Sequence, residues 1–497
     1  MPHPHQRSGA LLAAALLIGA ADISLAGVPG SDPKTVAPPL PESNPLSFLG
    51  GAVVFDFEER FRWELRNNNF DFDDSVNALT DDNWFLQRAR LGLKITLADW
   101  LRIYGQVQDS REINSDRPDF PNQLGAEGDD SVDLRQAWVE FGNPKEFPLT
   151  LKLGRQILSY GDERLIGAFD WNNIGRTFDG ARLRWEQKDW SLDAFAATVA
   201  VAERGSYNQS DLFNGNETYR QQVFSGLYFQ TTAIPFQTTD LYVLNLHEND
   251  NPRYQPNPDG DTNFFTLGLR VKSKPGAFAP EEKITRRDDA SKDGKTVVAI
   301  GPKRPVGFDY EGEFAFQTGH LRGLDLTAFA AHDGLGYTLD TPWLPRFGVA
   351  YSFATGDSDS TDQDVETFQN LFPTNHKFYG QMDLFSWQNV HDLEVNFKVN
   401  PIRPVTLRVE YHAFWLQTTE DFWYRANGLT TVRSLNAAAR DAGSYVGSEV
   451  DFVATWNVTK NLQFEGGYSH FFTGDYIAAT GPNDDADFAY LQAKVTF

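Results

Sequence analysis

From Val53 to the last residue, apolar side chains return at every second position in segments about ten residues long, and the pattern is resumed eighteen times. The segments span 52 to 66, 84 to 98, 101 to 113, 132 to 142, 148 to 158, 179 to 187, 190 to 201, 222 to 232 and 237 to 247. They continue at 263 to 272, 306 to 317, 322 to 333, 345 to 355, 391 to 400, 404 to 416, 446 to 457, 461 to 472 and 487 to 497. A tilted strand needs roughly 9 to 11 residues to cross a membrane. In the last segment, "DFAYLQAKVTF", Ala489, Leu491, Ala493, Val495 and Phe497 alternate with Tyr490, Gln492, Lys494 and Thr496. An open edge strand offers unpaired amides to any partner chain. Closing the sheet removes the edge, so the last strand is expected to pair with the first.

The connections carry a second signal. Odd ones tend to be long and rich in Asp, Asn and Gly, as at 67 to 83, 114 to 131, 159 to 178 and 356 to 390; even ones tend to be short, as at Asp99 and Trp100 or 187 to 189. Outer-membrane barrels have short periplasmic turns and long external loops. Two connections depart from this: the odd one at 318 to 321 is short, and the even one at 273 to 305 is long and charged. Tryptophans supply a third signal, with Trp100, Trp185, Trp190, Trp343 and Trp456 toward the short turns and Trp63, Trp84, Trp387 and Trp415 toward the long loops. Two interfacial girdles are expected. The fold class is therefore all-β: a transmembrane antiparallel barrel of about eighteen strands, monomeric, with both termini periplasmic.

Composition narrows the function. The 497-residue chain has no Cys, 12 Trp, 17 Tyr and 39 Phe, and a formal net charge of -24. The acidic balance argues against a nucleic-acid partner, and the missing thiols exclude disulfides and thiolate metal sites. At the N-terminus Arg7 precedes "GALLAAALLIGAA", and Ser24 and Ala26 stand at the two small positions before a cut at Gly27. This predicts a secretory signal peptide over 1 to 26. Residues 27 to 50 are expected to be a flexible Pro-rich lead-in, and residues 51 to 497 the barrel.

The strands have one apolar and one charged face. In "FLQRARLGLKITL" Phe85, Ala89, Leu91, Leu93, Ile95 and Leu97 share one face, and Arg88, Arg90 and Lys94 the other. Arg182 and Arg184 alternate with Ala181, Leu183 and Trp185; Arg408, Glu410 and His412 alternate with Leu407, Val409 and Tyr411. An outward Arg or Lys at the bilayer midplane costs about 2–4 kcal/mol, so the charged face looks inward, onto an expected water-filled channel. Strands one to six bring Arg60, Arg62, Arg66, Arg88, Arg90, Arg102, Arg182, Arg184, Lys94 and Lys152 to that lumen. Asp309, Glu311, Glu313, Asp325, Glu449, Asp451 and Glu465 form an acidic wall opposite. Such a lumen either sorts anions or is simply well solvated.

The stretch "LKLGRQILSYGDERLIGAFDWNNIGRTFDGARLRW", residues 151 to 185, resembles the signature region of the bacterial alginate-export family, and so do "YSFATGDSD" and "TFQNLFPTNHKFYGQMDL" at 351 to 359 and 367 to 384. The resemblance spans about residue 50 to 497. It implies an anion-selective outer-membrane pore of a Gram-negative cell, whose arginine-rich constriction passes a polyuronate such as alginate. Carried onto this chain, the constriction positions are Arg155, Arg164, Arg176 and Arg182. A guanidinium fork suits a carboxylate, but Asp162, Asp170 and Asp179 lie near enough to pair with these arginines instead. The competing reading is a general porin for small acidic solutes such as sugar acids. The expected partners are outer-membrane lipid and lipopolysaccharide, the barrel-assembly machinery through the C-terminal strand, the anionic cargo, and periplasmic export proteins.

No cofactor, metal or catalytic residue is expected. "DSDSTDQD" at 357 to 364 lacks the glycine and terminal Glu of a calcium loop and reads as a solvated acidic loop. His391 and His412 lie on neighbouring strands, yet no nucleophile stands beside them.

Overall fold

The computed structural model describes residues 46–75, 80–115, 129–202, 207–210, 222–248, 260–279, 283–287, 296–300 and 305–497. The expected signal peptide and most of the expected lead-in lie outside the described residues. Eighteen long strands form one closed antiparallel barrel. They are β1 (Val53–Asn67), β2 (Asp82–Ala98), β3 (Leu101–Ile113), β4 (Asp130–Phe141), β5 (Leu149–Gln156), β6 (Thr177–Glu186), β7 (Trp190–Ala200), β8 (Gln222–Thr231) and β9 (Gln237–Glu248). The circuit continues with β10 (Thr262–Ser273), β11 (Gly307–Leu321), β12 (Leu324–Thr338), β13 (Arg346–Ala354), β14 (Val390–Ile402), β15 (Val405–Leu416), β16 (Tyr445–Asn457), β17 (Leu462–Thr473) and β18 (Ala486–Thr496). β18 returns to β1 in the register Glu58↔Thr496 through Asn67↔Asp487. No edge of the main sheet is left open. Where β18 ends, Ser47–Phe48 pairs with Val53 and Val54, so the lead-in already has structure before residue 50.

Alternation holds around the wall. Phe61, Phe85, Leu91, Leu97, Leu491 and Phe497 are exposed on the outer face, while Arg60, Arg62, Arg88 and Arg90 are buried on the inner one. Asp325 departs from its expected inward placement: it stands exposed at the external rim, paired with His320 at 2.9 Å. The short odd connection also moves, from 318–321 to Arg322 and Gly323. Both residues have positive φ, at 54° and 80°. That is the requirement of a two-residue type I′ hairpin, which suits the twist of paired strands. The long even connection carries a small antiparallel hairpin, Lys283–Arg287 with Thr296–Ile300.

The tryptophans divide differently from the expected girdles. Trp100, Trp185, Trp190, Trp343 and Trp456 are exposed, as a short-turn girdle requires. On the long-loop side Trp84 and Trp387 are buried instead. Trp84 shares the inward parity of Arg88 and Arg90, and Trp387 belongs to a loop that turns into the barrel. The external half of the lumen is consequently a packed core rather than open water. Phe368, Phe372, Phe385, Trp387 and Trp423 from the loops meet Phe178, Phe224, Phe414 and Phe471 from the wall. Phe385 stacks on Phe414 at 3.9 Å between ring centres, and Phe372 meets Phe224 at 4.8 Å.

Candidate functional site

Three external loops build the obstruction: 157–176, 355–389 and 417–444. The first two join inside the lumen as a short parallel pair, with Gly167 N donating to Phe372 O at 2.8 Å and Phe372 N donating to Leu165 O at 2.9 Å. Gly167 is required here, because a Cβ would stand 2.2 Å from Thr374 Oγ1. The third loop locks onto the second through Asn375 Nδ2 donating to Ala426 O at 2.7 Å and Trp423 Nε1 donating to Leu384 O at 2.9 Å. Gly380, at φ 78°, passes flat against the Glu449 carboxylate, whose Oε1 accepts from Met382 N at 2.9 Å.

The first loop is gripped through its backbone. Five consecutive carbonyls accept hydrogen bonds from the wall. Asp170 O receives Arg60 and Arg88 at 2.8 and 3.0 Å, Trp171 O receives Arg62 at 2.8 Å, and Asn172 O receives Arg60 and Arg88 at 3.2 and 3.1 Å. Asn173 O receives Ser110 at 2.9 Å; Ile174 O receives Gln108 and Arg135 at 2.9 and 2.8 Å. The Asp170 carboxylate reaches Arg90 at 2.7 Å, Arg88 at 3.3 Å and Arg135 at 3.8 Å, still 48% exposed to the lumen. Burial would raise this carboxyl, but Arg88, Arg90, Arg135 and Arg60 together hold it far below the usual carboxylate range. Trp171 lies between the Arg62 guanidinium at 3.8 Å and the His376 ring at 3.7 Å.

The residues expected to line the pore separate into two groups. Arg88 and Arg90 grip the first loop as described. Arg155 makes a two-pronged pair with Asp179 at 2.9 and 2.8 Å, and Arg164 sits over the Phe378 ring at 4.0 Å with Glu311 and Glu313 each at 3.9 Å. Arg176 donates to Gly167 O and Pro373 O; burial pushes its guanidinium down to about 10. Arg88, Arg90, Arg164 and Arg176 brace the loops, while Arg155 ties β5 to β6 and, through Leu134 O at 3.0 Å, to β4. Arg182 and Arg184 lie nearer the short turns beside Asp193, at 4.0 and 3.5 Å. Lys94 and Arg408 are open to the lumen, Arg408 with Glu410 at 3.4 Å. His391 faces outward to Tyr351 and His412 inward to Asp392, so the two do not meet. In the acidic loop the Asp357, Asp359 and Asp362 carboxylates accept amides two residues on, which satisfies them locally.

Below the loops, toward the short turns, a cavity of about 500 Å³ opens between their undersides and the wall from β10 to β15. Lys272, Arg346, Lys377, Lys398 and Arg408 line it with Asp162, Glu163, Glu311, Glu394 and Glu410. Sequence reasoning did not single out Arg135, Asp170 as an anchor, or Lys398. Arg135 sits at a bulge where the register slips between Gln106 and Val107, so simple alternation misplaces it.

The family model described as "Alginate export" matches residues 53–490. No curated protein matches the sequence. Among solved structures, Pseudomonas aeruginosa OccK9 (OpdG) superposes with a TM-score of 0.56 at 12% identity, covering 90% of this chain and 98% of the other. P. aeruginosa OccK8 (OprE) gives 0.55 at 12% identity, with the same coverage. P. aeruginosa OpdK, solved with vanillate, gives 0.53 at 11% identity, again with 90% and 98% covered.

Proposed function

Since the chain belongs to the alginate-export family and is an outer-membrane channel, we propose that it conducts an anionic polysaccharide such as alginate, favouring anions through its arginine-lined lumen. The observation that carries this reading is the run of carbonyls 170–174 and the Asp170 carboxylate held by Arg60, Arg62, Arg88, Arg90 and Arg135. An oxygen-rich, negatively polarised strand of chain already lies across a basic wall, as a polyuronate would. Outside the loops Lys94, Arg182, Arg184, Lys398 and Arg408 remain partly or fully open to solvent. A unit charge pair 7 Å apart is worth roughly 2 kcal/mol at an effective dielectric of 20. That biases traffic without trapping it. On the same reading the first 26 residues direct secretion, the barrel-assembly machinery inserts a monomer, and the lead-in and the 274–306 connection face periplasmic partners.

A second reading, a porin for small acidic solutes, is favoured by the size of the cavity and by the likeness to OpdK, which was solved with vanillate. Block of single-channel current separates the two. A polymer engages several cationic sites at once and gains through effective concentration. Polymannuronate oligomers are therefore expected to block with steeply rising potency as they lengthen, while free mannuronate blocks weakly. Equal potency per sugar would eliminate the polymer reading.

A further inference from the structure

Three cations stand side by side on the inner wall: Arg346 on β13 is directly opposite Lys398 on β14, and Lys398 is directly opposite Arg408 on β15. Like charges in direct cross-strand register destabilise a sheet. The wall compensates only two of them. Arg346 is folded away, with Asp309 at 2.7 Å and Asn396 at 2.6 Å, and its guanidinium lies over Gly336 and Gly348, where a Cβ would come within 2.2 and 2.7 Å of it. Arg408 leans on Glu410 at 3.4 Å while 40% of its side chain stays exposed. Lys398 is exposed, and among the described residues it has no hydrogen bond or ion pair within reach. Of the other nearby carboxylates, Glu311 holds Lys272 at 2.7 Å and Glu163 holds Lys377, while Glu394 accepts from the neutral amide of Asn396 at 2.6 Å and turns toward it rather than toward Lys398. At the level of the row the next wall residue beyond Arg408 is Val453, which is uncharged.

We propose that Lys398 and Arg408 form a carboxylate-binding subsite for one residue of a sugar-acid chain, seated in the cavity on the short-turn side of the loops. This rests on the anionic-cargo reading above. All three cations lie near the short-turn ends of their strands, the periplasmic ends in a barrel of this kind. A carboxylate there meets an ammonium that makes no ion pair among the described residues and a guanidinium whose side chain is 40% exposed. A cavity of about 500 Å³ accommodates a sugar or two. The subsite thus lies on the periplasmic side of the loops, where a chain entering from the periplasm meets it before them.

The test is equilibrium binding of a mannuronate tetramer to the full chain in detergent by titration calorimetry, with an uncharged tetrasaccharide as control. Lys398→Gln with Arg408→Gln is expected to weaken tetramer binding about tenfold, the loss of charge-assisted hydrogen bonds. Because the chain has no Cys, Lys398→Cys offers a single thiol. Reaction with aminoethyl methanethiosulfonate restores an ammonium there and should restore affinity lost in that variant. Unchanged affinity in the double variant, or equal binding of the uncharged control, overturns the subsite while leaving the channel reading standing. Absence of tetramer binding to the unmodified chain overturns the anionic-polymer reading itself.

Discussion

Replacing residues 357–388 with Gly-Gly is expected to raise single-channel conductance by about an order of magnitude, because an eighteen-strand wall left to itself encloses an aqueous channel. The excision is geometrically simple. Ala354 and Val390 are directly paired, so a short link closes β13 to β14 without moving either. It removes Phe368, Phe372, Phe385 and Trp387 from the lumen, and with them the partner of the 163–169 segment. The barrel ladder does not depend on these contacts. Heat-modifiable migration on a gel should therefore still report a folded barrel. Unchanged conductance in a folded barrel would place the barrier elsewhere.

Asp170→Asn is expected to increase the open fraction about tenfold at neutral pH. Eight hydrogen bonds hold carbonyls 170–174. At about 1 kcal/mol net each they contribute roughly 8 kcal/mol. Ordering five residues costs roughly 5–10 kcal/mol. The two nearly cancel, so the Asp170 carboxylate and the Trp171 stack decide whether the loop stays docked. Removing the carboxylate takes from Arg135 its ion pair and leaves Arg88 and Arg90 with Glu58, at 2.6 and 3.3 Å, and the loss of one charge-assisted contact of about 1.4 kcal/mol is tenfold. The pH dependence has a definite sign. The Asp170 carboxyl is depressed in the folded loop, so its contribution is present above the unfolded value near about 4 and is lost as pH falls below it. Conductance of the unmodified channel should hold steady from pH 7 to about 5 and rise only under stronger acid. The Asn variant should show no such acid-dependent rise. A rise centred near neutrality would point to a histidine instead.

The wall was largely readable in the sequence because period-two alternation is imposed at every strand by lipid on one side and charge on the other. The pairing of β18 with β1, the parity of Arg88 and Arg90, and the long and short connections all follow from that single constraint. The plug was not readable in the same way, since loops carry no period. Its signal was compositional: Phe368, Phe372, Phe378, Tyr379, Phe385 and Trp387 are too many large apolar groups for a loop left in water. Trp84 could have been placed correctly from its parity with Arg88. Arg135 could not, because the bulge beside it breaks alternation. Whether Arg155 meets cargo or Asp179 is a question of three-dimensional proximity, and β5 places it directly opposite Asp179 on β6.

That the lumen favours anions is tested most directly by the reversal potential in a potassium chloride gradient across a planar bilayer. For the unmodified channel the sign should be that of chloride preference. In Lys94→Glu, Lys398→Glu, Arg408→Glu it should move toward potassium, because these cations are open to the lumen rather than committed to the loops. A potassium preference in the unmodified channel, or the same reversal potential in the triple variant, would contradict an anion conduit.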